Sequence, residues 1–347
     1  MCPAFRPSLS VIMCTHNGAE KLSIALDSLH RQTLEDLELI VVDDGSTDAS
    51  VEVAAAYGVS VERLSSNVGL AAARNAGVAR AGADLIAFTD DDCAVGPDWA
   101  EQIVTAFVEN PALDGVSGPV VPQSTSPFVR SYLEANNPLA PLGAELLVSN
   151  AFLYRLGLYL RRRLMRDSQV TNTLYSVVGA NMAFRRKAIE SVGGFDPAFR
   201  FGSEEEDLCR RLHDRPGPTE LRYLPDLTVT HWFTPSVTDS VRRARAYGRG
   251  NARMVLKHPS MRLIVFPAPV LLGAGILSAV AYRRPRWLAL AMLSPWALYP
   301  SWLRTRSRGP GTLSFPLLSL AQEIATMVGE AEGLRAGNGA EPTTPSR

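Results

Sequence analysis

The stretch Leu85-Ile86-Ala87-Phe88-Thr89-Asp90-Asp91-Asp92 runs from apolar residues of strand length directly into three consecutive carboxylates. Three adjacent aspartates repel one another, so they destabilise a fold unless water or a cation screens them. Mg²⁺ and Mn²⁺ prefer oxygen ligands, and proteins often hold them with one or two carboxylates together with substrate phosphates. At the carboxyl end of a parallel strand, the triplet therefore predicts a metal–diphosphate site. A solvated acidic turn is the alternative.

The residues around this stretch alternate between apolar strands and amphipathic helices. We predict strands at 9–14, 37–42 and 59–64, a strand that leads into the triplet, and helices at 20–31, 49–57 and 70–80. This alternation predicts an α/β domain built on a mostly parallel, doubly wound sheet that is flanked by helices. Right-handed crossovers place the loops that follow parallel strands on one edge of the sheet. That edge should collect Thr15, Asp43, Asp44, Asp90 and Asp92. Farther along, residues 177–184 predict one more strand.

The overall charge and the cysteines exclude some classes of protein. Lysine and arginine together number 35, as do aspartate and glutamate, so the formal net charge is zero. This balance argues against nucleic acid as a partner. The four cysteines lack disulfide or zinc-type spacing, which is typical of reduced cytosolic proteins. The first apolar run, from Leu9 to Cys14, is too short for a secretory signal. We therefore expect the domain that contains it to face the cytoplasm.

Beyond Arg262 the sequence becomes strongly apolar. Leu263 to Tyr282 is twenty residues without a charge, and Trp287 to Leu303 is seventeen. At helical rise, such lengths match a hydrocarbon core about 30 Å thick. We predict two transmembrane helices in the cell membrane with both ends in the cytoplasm; a helical pair that lies in one leaflet is the alternative. The tail at 331–347 is predicted to be disordered.

Several motifs occur in the order and spacing of family 2 glycosyltransferases, and the sequence resembles that family on these grounds. They are Ser10-Val11-Ile12-Met13-Cys14-Thr15-His16-Asn17, Val41-Val42-Asp43-Asp44-Gly45-Ser46-Thr47-Asp48, Asn67-Val68-Gly69 with Ala73-Arg74-Asn75-Ala76-Gly77, Phe88-Thr89-Asp90-Asp91-Asp92, Gly179-Ala180-Asn181-Met182-Ala183-Phe184-Arg185-Arg186, Gly193-Gly194-Phe195-Asp196 and Glu204-Glu205-Glu206-Asp207-Leu208. The resemblance implies a GT-A fold, a nucleotide-sugar donor and inversion at the anomeric carbon. We accordingly predict a catalytic domain at 1–256, with a nucleotide-sugar half at about 8–122 and an acceptor half at about 123–256. A membrane-associated helical region at 257–330 follows it.

The resemblance also implies which residues hold the metal. Asp90 and Asp92 match the outer positions of the family's D-x-D motif, which meet the metal and the donor ribose, and Asp91 lies between them. His231 matches a histidine that completes the metal shell in related enzymes, and neutral imidazole suits Mn²⁺ beside carboxylate. A structural histidine is the alternative. The implied cofactor is Mn²⁺ or Mg²⁺.

Five further residues match donor-binding positions of the family. They are Thr15, Asn17, Asp43, Asp44 and Arg74. The resemblance implies that Thr15 and Asp43 hold the nucleobase end of the donor and that Arg74 contacts the base or the diphosphate. Turn formation, helix capping and a solvated arginine are the structural alternatives.

An inverting displacement needs a base that accepts the proton of the attacking hydroxyl. The family places this carboxylate in an E-D pair that opens a helix, which matches Glu204 and Glu205, with glutamate in place of the expected aspartate. We predict that Glu205 is the base. A capping box between Ser203 and Glu206 is the competing local role of this acidic run.

These features together predict a hexosyl- or deoxyhexosyltransferase. It would transfer a sugar from a nucleotide-sugar to a hydroxyl of a lipid-linked or cell-envelope glycan acceptor. Two alternatives stay open. A nucleotidyltransferase can use a similar sheet, but it has a Gly-rich phosphate loop, whereas Thr15-His16-Asn17-Gly18 has one glycine. A non-catalytic sugar-nucleotide-binding membrane protein is consistent with the altered E-D pair.

Overall fold

The computed structural model describes residues 7–164, 172–263, 266–283, 285–303 and 310–337. The strands are β1 Leu9–Thr15, β2 Leu37–Asp43, β3 Ser60–Arg63, β4 Leu85–Asp90, β5 Cys93–Val95, β6 Gly115–Ser117, β7 Val120–Gln123, β8 Leu142–Gly143, β9 Leu174–Ser176, β10 Met182–Arg185, β11 Leu221–Tyr223 and β12 Val229–Trp232.

The helices alternate with these strands and then dominate the C-terminal part. They are α1 Ala19–Leu29, α2 Ser50–Ala56, α3 Leu70–Arg80, α4 Trp99–Glu109, α5 Pro127–Ala135, α6 Phe152–Leu164, α7 Arg186–Ser191, α8 Glu204–Asp214, α9 Val237–Lys257, α10 Pro267–Tyr282, α11 Pro285–Leu298 and α12 Phe315–Ala336. Short 3₁₀ segments occur at Ala144–Leu147, Pro300–Leu303 and Pro310–Ser314.

Seven strands form the main sheet, in the order β11-β6-β10-β4-β1-β2-β3. β1 pairs in parallel with β2 and β4, and β2 pairs in parallel with β3. β10 is the exception, because it runs antiparallel to both β4 and β6. The predicted mostly parallel sheet with flanking helices is therefore confirmed.

Alternating side chains of the strands fill two cores, one on each face of the sheet. Val11 and Met13 of β1 pack with Leu26 of α1 in one core. The intervening Ile12 packs with Val78 of α3 in the other core. Because successive strand residues point to opposite faces, near-continuous apolar strands such as β1 need helices on both sides.

The carboxyl ends of the central strands lie level with one another. Thr15 of β1 pairs with Asp43 of β2, and Cys14 of β1 pairs with Asp90 of β4. The polar residues that follow these strands therefore meet at one edge of the sheet, as the strand pattern predicted.

A second, three-stranded sheet has the order β5-β12-β7. β12 runs antiparallel to β5, so that His231 pairs with Cys93. The backbone N–H of Trp232 donates to the carbonyl of Asp92 at 2.8 Å. This sheet brings His231, which is distant along the chain, beside the acidic triplet.

Only the second half of residues 177–184 is a strand, so the prediction of one continuous strand there is wrong. β10 begins at Met182, and a bridge between Val178 and Asn181 closes a turn before it. Gly179 lies in this turn, where an added Cβ would be 2.6 Å from a nitrogen of Arg74. The turn leaves room for a buried arginine, which the local apolar pattern does not reveal.

The last helix, α12, packs against α5 and α9. The Tyr132 hydroxyl of α5 donates to Gln322 Oε1 of α12 at 2.6 Å. A Cβ at Gly329 of α12 would lie 1.9 Å from the carbonyl oxygen of Arg245, so glycine lets α9 and α12 approach closely. α12 continues into the stretch 331–347 that was predicted to be disordered, and residues 338–347 lie outside the described residues.

The two apolar stretches form shorter helices than the sequence predicts. α10 has 16 residues and α11 has 14, and each begins at a proline. Proline is favoured in the first turn of a helix, where its missing N–H would be unpaired anyway. Residues 264–265 and 284 lie outside the described residues. Across the described ranges no helix has both the length and the apolarity to cross a membrane, so the predicted transmembrane hairpin is not supported.

Candidate active site

Asp90, Asp92 and His231 converge at the carboxyl end of β4. His231 Nε2 lies 3.3 Å from Asp92 Oδ1. One ligand atom each from Asp90, Asp92, Cys93 and His231 lie within 4.8 Å of one another. Asp92 and His231 are buried, whereas Asp90 is partly exposed. The cluster contains the three residues predicted as metal ligands, and its two carboxylates and one imidazole suit Mn²⁺.

The Cys93 thiol belongs to this cluster but is poorly suited as a ligand. Burial, and then the negative charges of Asp90 and Asp92, raise the pKa of Cys93 well above its usual value. Thiolates are soft ligands that suit zinc or copper, whereas Mn²⁺ and Mg²⁺ prefer oxygen ligands. Cys93 is fully buried and belongs to the same apolar core as Val11 and Met13.

Lys21 is a functional candidate that sequence reasoning missed. Its Nζ lies 3.3 Å from Asp92 Oδ2 and donates to the carbonyl of Trp232 at 3.3 Å. The residue belongs to the first turn of α1, which starts just after β1. A lysine there normally indicates a solvated side chain, so the sequence holds no signal for this contact. In the fold, the ammonium offsets the charge of Asp92.

Asp91, the middle residue of the triplet, is turned toward the start of α1. It is buried, and its Oδ2 accepts a hydrogen bond from Thr15 Oγ1 at 2.6 Å. Gly18 allows this approach, since a Cβ there would lie 2.2 Å from Asp91 Oδ2. The hydrogen bond between Asp91 and Thr15 therefore joins the end of β4 to the end of β1. The predicted contacts of these two residues with the nucleotide-sugar stay predictions.

Asp44 organises the loop before α3. Its two carboxylate oxygens accept hydrogen bonds from the backbone N–H groups of Val68, at 2.7 Å, and Gly69, at 3.0 Å. Burial raises the pKa of Asp44, and the two backbone hydrogen bonds oppose that shift. The carboxylate thus joins the loop after β2 to the Asn67-Val68-Gly69 motif.

Asp43 and Asn17 hold together the loops next to Asp44. Asp43 Oδ1 accepts the backbone N–H of Ser46 at 3.1 Å, and Oδ2 lies 3.6 Å from Arg63 Nε. Asn17 has a left-handed backbone (φ 55°), and its Oδ1 accepts the backbone N–H of Thr47 at 2.8 Å. The predicted nucleobase-binding residues therefore lie together in one hydrogen-bonded set of loops.

Arg74 is buried, so the alternative of a solvated arginine is wrong. The residue is 2% exposed, and its Nη1 donates to Glu204 Oε1 at 2.7 Å. Its Nη2 lies 3.7 Å from Asp90 Oδ1. The guanidinium also lies over the rings of Phe88 and Phe195, at 5.8 and 5.6 Å from their centroids. Arg74 thereby links the acidic end of β4 to the start of α8.

The capping box that competes for the acidic run of α8 does not form. Ser203 has a left-handed backbone (φ 67°), and its side chain makes no capping hydrogen bond. The helix instead begins with four acidic residues, 204–207, whose charges interact favourably with its N-terminal N–H groups.

Glu204 and Glu205 have different surroundings. Arg74 holds Oε1 of Glu204, whereas Oε2 of each glutamate is shielded from water and lacks a hydrogen-bond partner among the described residues. Burial, and then repulsion from Glu204, raise the pKa of Glu205 to about 8. A raised pKa makes a carboxylate a stronger base. Burial also raises the pKa of Glu206, to about 7. A hydrogen bond that Tyr175 donates to Glu206 opposes this rise.

The sequence model described as "Glycosyl transferase family 2" matches residues 10–193, more than half of the 347 residues. The chain belongs to glycosyl transferase family 2. The match includes Asp43, Arg74 and the acidic triplet. Three of the candidate residues lie beyond the matched range in the sequence: Glu204, Glu205 and His231. α8 and β12 place them next to matched residues such as Arg74 and Asp92.

Curated relatives carry glycosyltransferase names. Pre-mycofactocin glycosyltransferase of Mycobacterium tuberculosis is 30% identical over 276 residues, which cover 78% of this chain and 51% of that protein. The family 2 chain thus spans about half the length of that relative. Validoxylamine A glucosyltransferase of Streptomyces hygroscopicus subsp. jinggangensis is 40% identical over 302 residues, covering 81% and 68%. Glucosyl-dolichyl phosphate glucuronosyltransferase of Haloferax volcanii is 28% identical over 221 residues, covering 60% and 64%.

A solved structure has the same architecture. It is the mannosyltransferase PcManGT from Pyrobaculum calidifontis in complex with GDP-Man and Mn²⁺, with a TM-score of 0.53 and 18% identity. The likeness covers 97% of this family 2 chain and 88% of that chain. It shows a GT-A-like α/β fold.

Removal of Arg74 should leave Glu204 buried without its partner. We expect Arg74→Met to lower the free energy of unfolding by about 3–5 kcal/mol, measured by urea denaturation. The double variant R74M/E204Q should lose less, because the unpaired charge is also gone. Arg80→Met on the same helix removes a mostly exposed ion pair with Glu62, so it should change stability by less than about 1 kcal/mol. Equal losses in R74M and R80M would contradict this role.

Proposed function

We propose that this family 2 chain transfers a sugar from a nucleotide-diphosphate sugar to a hydroxyl of a lipid-linked or cell-envelope glycan acceptor, with inversion at the anomeric carbon. The observation that carries the proposal is the convergence of Asp90, Asp92 and His231 beside the Arg74–Glu204 pair. GDP-Man and Mn²⁺ in the solved mannosyltransferase support the donor class and the metal. The relative named for glucosyl-dolichyl phosphate supports a lipid-linked acceptor.

Asp90, Asp92 and His231 would hold Mn²⁺ or Mg²⁺. Their atoms are close enough to share one ion, and two of the three residues are buried. A divalent cation bound there would neutralise the negative charge that develops on the leaving diphosphate. Lys21 adds a positive charge next to Asp92, 3.3 Å from its Oδ2.

Glu205 would accept the proton of the acceptor hydroxyl as that oxygen attacks the anomeric carbon. Attack from the face opposite the diphosphate forms the new carbon–oxygen bond while the bond to the diphosphate breaks, which inverts the configuration. Arg74 holds the adjacent Glu204, so Glu205 has the less constrained carboxylate of the two. The loops that contain Asn17, Asp43 and Asp44 would orient the nucleobase end of the donor.

Turnover of labelled nucleotide-sugars with Mn²⁺ or Mg²⁺ tests this function. We expect sugar transfer or donor hydrolysis by the wild type, and about a hundredfold less transfer by Glu205→Gln, because a general base typically contributes at least that much. The kcat/KM for transfer should rise with pH to about 8 and then level off, since Glu205 must be deprotonated to act. A rate that falls over this range would contradict Glu205 as the base.

The control is Glu190→Gln, which changes an exposed glutamate of α7 and should keep wild-type turnover. Full activity of E205Q would remove Glu205 from the mechanism. Release of pyrophosphate from a nucleoside triphosphate would instead favour a nucleotidyltransferase, and nucleotide binding without any turnover would favour a non-catalytic protein.

We also propose that the family 2 chain acts at the cell membrane, with its catalytic domain facing the cytoplasm. The support is the large apolar side chains that α10 and α11 expose: Leu271, Ile276, Leu277, Val280, Trp287, Leu290, Met292 and Leu293. The helices would lie in one leaflet. Arg283, which follows α10, and Arg286, in the first turn of α11, are both exposed, and they would meet lipid phosphates. Trp287 lies under the Arg286 guanidinium at 5.7 Å, and tryptophan favours the membrane interface.

Flotation with vesicles of phosphatidylcholine and phosphatidylglycerol tests this placement. We expect the wild type to float and Leu277→Glu to bind about tenfold more weakly, because burying a leucine contributes about 1.5–3 kcal/mol. Val108→Glu is the matched control, since Val108 of α4 and Leu277 are both 71% exposed. Equal binding of the two variants, or no flotation of the wild type, would contradict the proposal.

A further inference from the structure

A stack of side chains leads from α9 to the candidate metal ligand His231. Phe233 lies against His231, with ring centroids 4.2 Å apart and planes tilted by 28°. The Arg243 guanidinium lies over the Phe233 ring, 5.4 Å from its centroid. Arg243 therefore places a positive charge one aromatic ring beyond the cluster of Asp90, Asp92 and His231.

Arg243 differs from its neighbours on α9 because no carboxylate of the described residues pairs with it. Arg242 pairs with Asp239 at 2.6 Å, and Arg245 pairs with Glu332. Arg243 is partly exposed, so the residue is not sealed from solvent by the packing around it. Stacking on an aromatic face uses the plane of a guanidinium and leaves its N–H donors available.

We propose that Arg243 binds a phosphate group of a substrate. This inference rests on the proposed function, in which the phosphate can come from either of two substrates. The guanidinium is a planar fork that matches phosphate oxygens in a bidentate arrangement. Phe233 orients the plane of the fork, so less side-chain entropy is lost on binding.

The phosphate has two possible sources with the same chemistry. One is the diphosphate of the nucleotide-sugar, which the residues Asp90, Asp92 and His231 would meet through a cation. The other is the phosphate of a lipid-linked acceptor. Arg243 would act on the affinity for the nucleotide in the first case and on the affinity for the acceptor in the second.

Calorimetry on the full chain with two probe sets tests the proposal. The donor set is UDP and GDP with Mn²⁺, and the acceptor set is farnesyl phosphate with farnesol as its uncharged match. The variants are Arg243→Gln, Arg243→Lys and the matched control Arg242→Gln, which alters the adjacent arginine that already has a carboxylate partner. Unfolding midpoints without ligand should be equal for all the proteins, and R243K keeps the test open if R243Q does not fold.

We expect R243Q to weaken binding about tenfold in one probe set, as the loss of a charge-assisted hydrogen-bond pair implies. R243K should keep part of the affinity, and R242Q should keep all of it. A loss for nucleotides assigns Arg243 to the donor, and a loss for farnesyl phosphate but not farnesol assigns it to the acceptor. Equal affinities of R243Q and R242Q in both sets, or a wild type that binds neither set, would overturn the proposal. Binding without sugar transfer would refute the proposed function and leave the phosphate site standing.

Discussion

The site depends on the compensation of buried negative charge between β4 and α8. Asp90 and Glu204 approach the same region from distant parts of the chain, and Arg74 is the buried cation between them. A carboxylate that is buried without a partner costs several kcal/mol. The position of α8, and with it Glu205, therefore depends on a buried arginine of α3.

Neighbouring acidic residues of the site therefore have different partners. Asp91 turns inward and accepts a hydrogen bond from Thr15, whereas Asp90 and Asp92 join His231. At the start of α8, Arg74 donates a hydrogen bond to Glu204. Oε2 of the following residue, Glu205, is buried and has no hydrogen-bond partner among the described residues. An acidic run can thus stabilise the fold and still provide groups for chemistry, because its carboxylates differ in their local partners.

The sequence predicts the sheet and its polar edge because both follow from local patterns. Apolar runs that end in Thr15, Asp43 and Asp90 indicate parallel strands whose carboxyl ends meet. The contacts of Lys21 and Arg74 were not predictable, because they depend on packing between residues that are far apart in the chain. The prediction of transmembrane helices was based on the length of the uncharged stretches. The helices themselves are shorter than those stretches, because α10 begins only at Pro267 and α11, which begins at Pro285, ends at Leu298. Side chains such as Leu277 are nevertheless exposed on these shorter helices.

The proposed sugar transfer requires a cation held by Asp90, Asp92 and His231. Electron paramagnetic resonance of Mn²⁺, titrated with the protein in the presence of a nucleoside diphosphate, measures this directly. We predict that the wild type removes the signal of free Mn²⁺ and that Asp92→Asn weakens this binding by at least roughly tenfold. Asp91→Asn should bind like the wild type, because Asp91 faces Thr15. Equal Mn²⁺ affinities of D92N and the wild type would contradict the assignment of this cluster as the metal site.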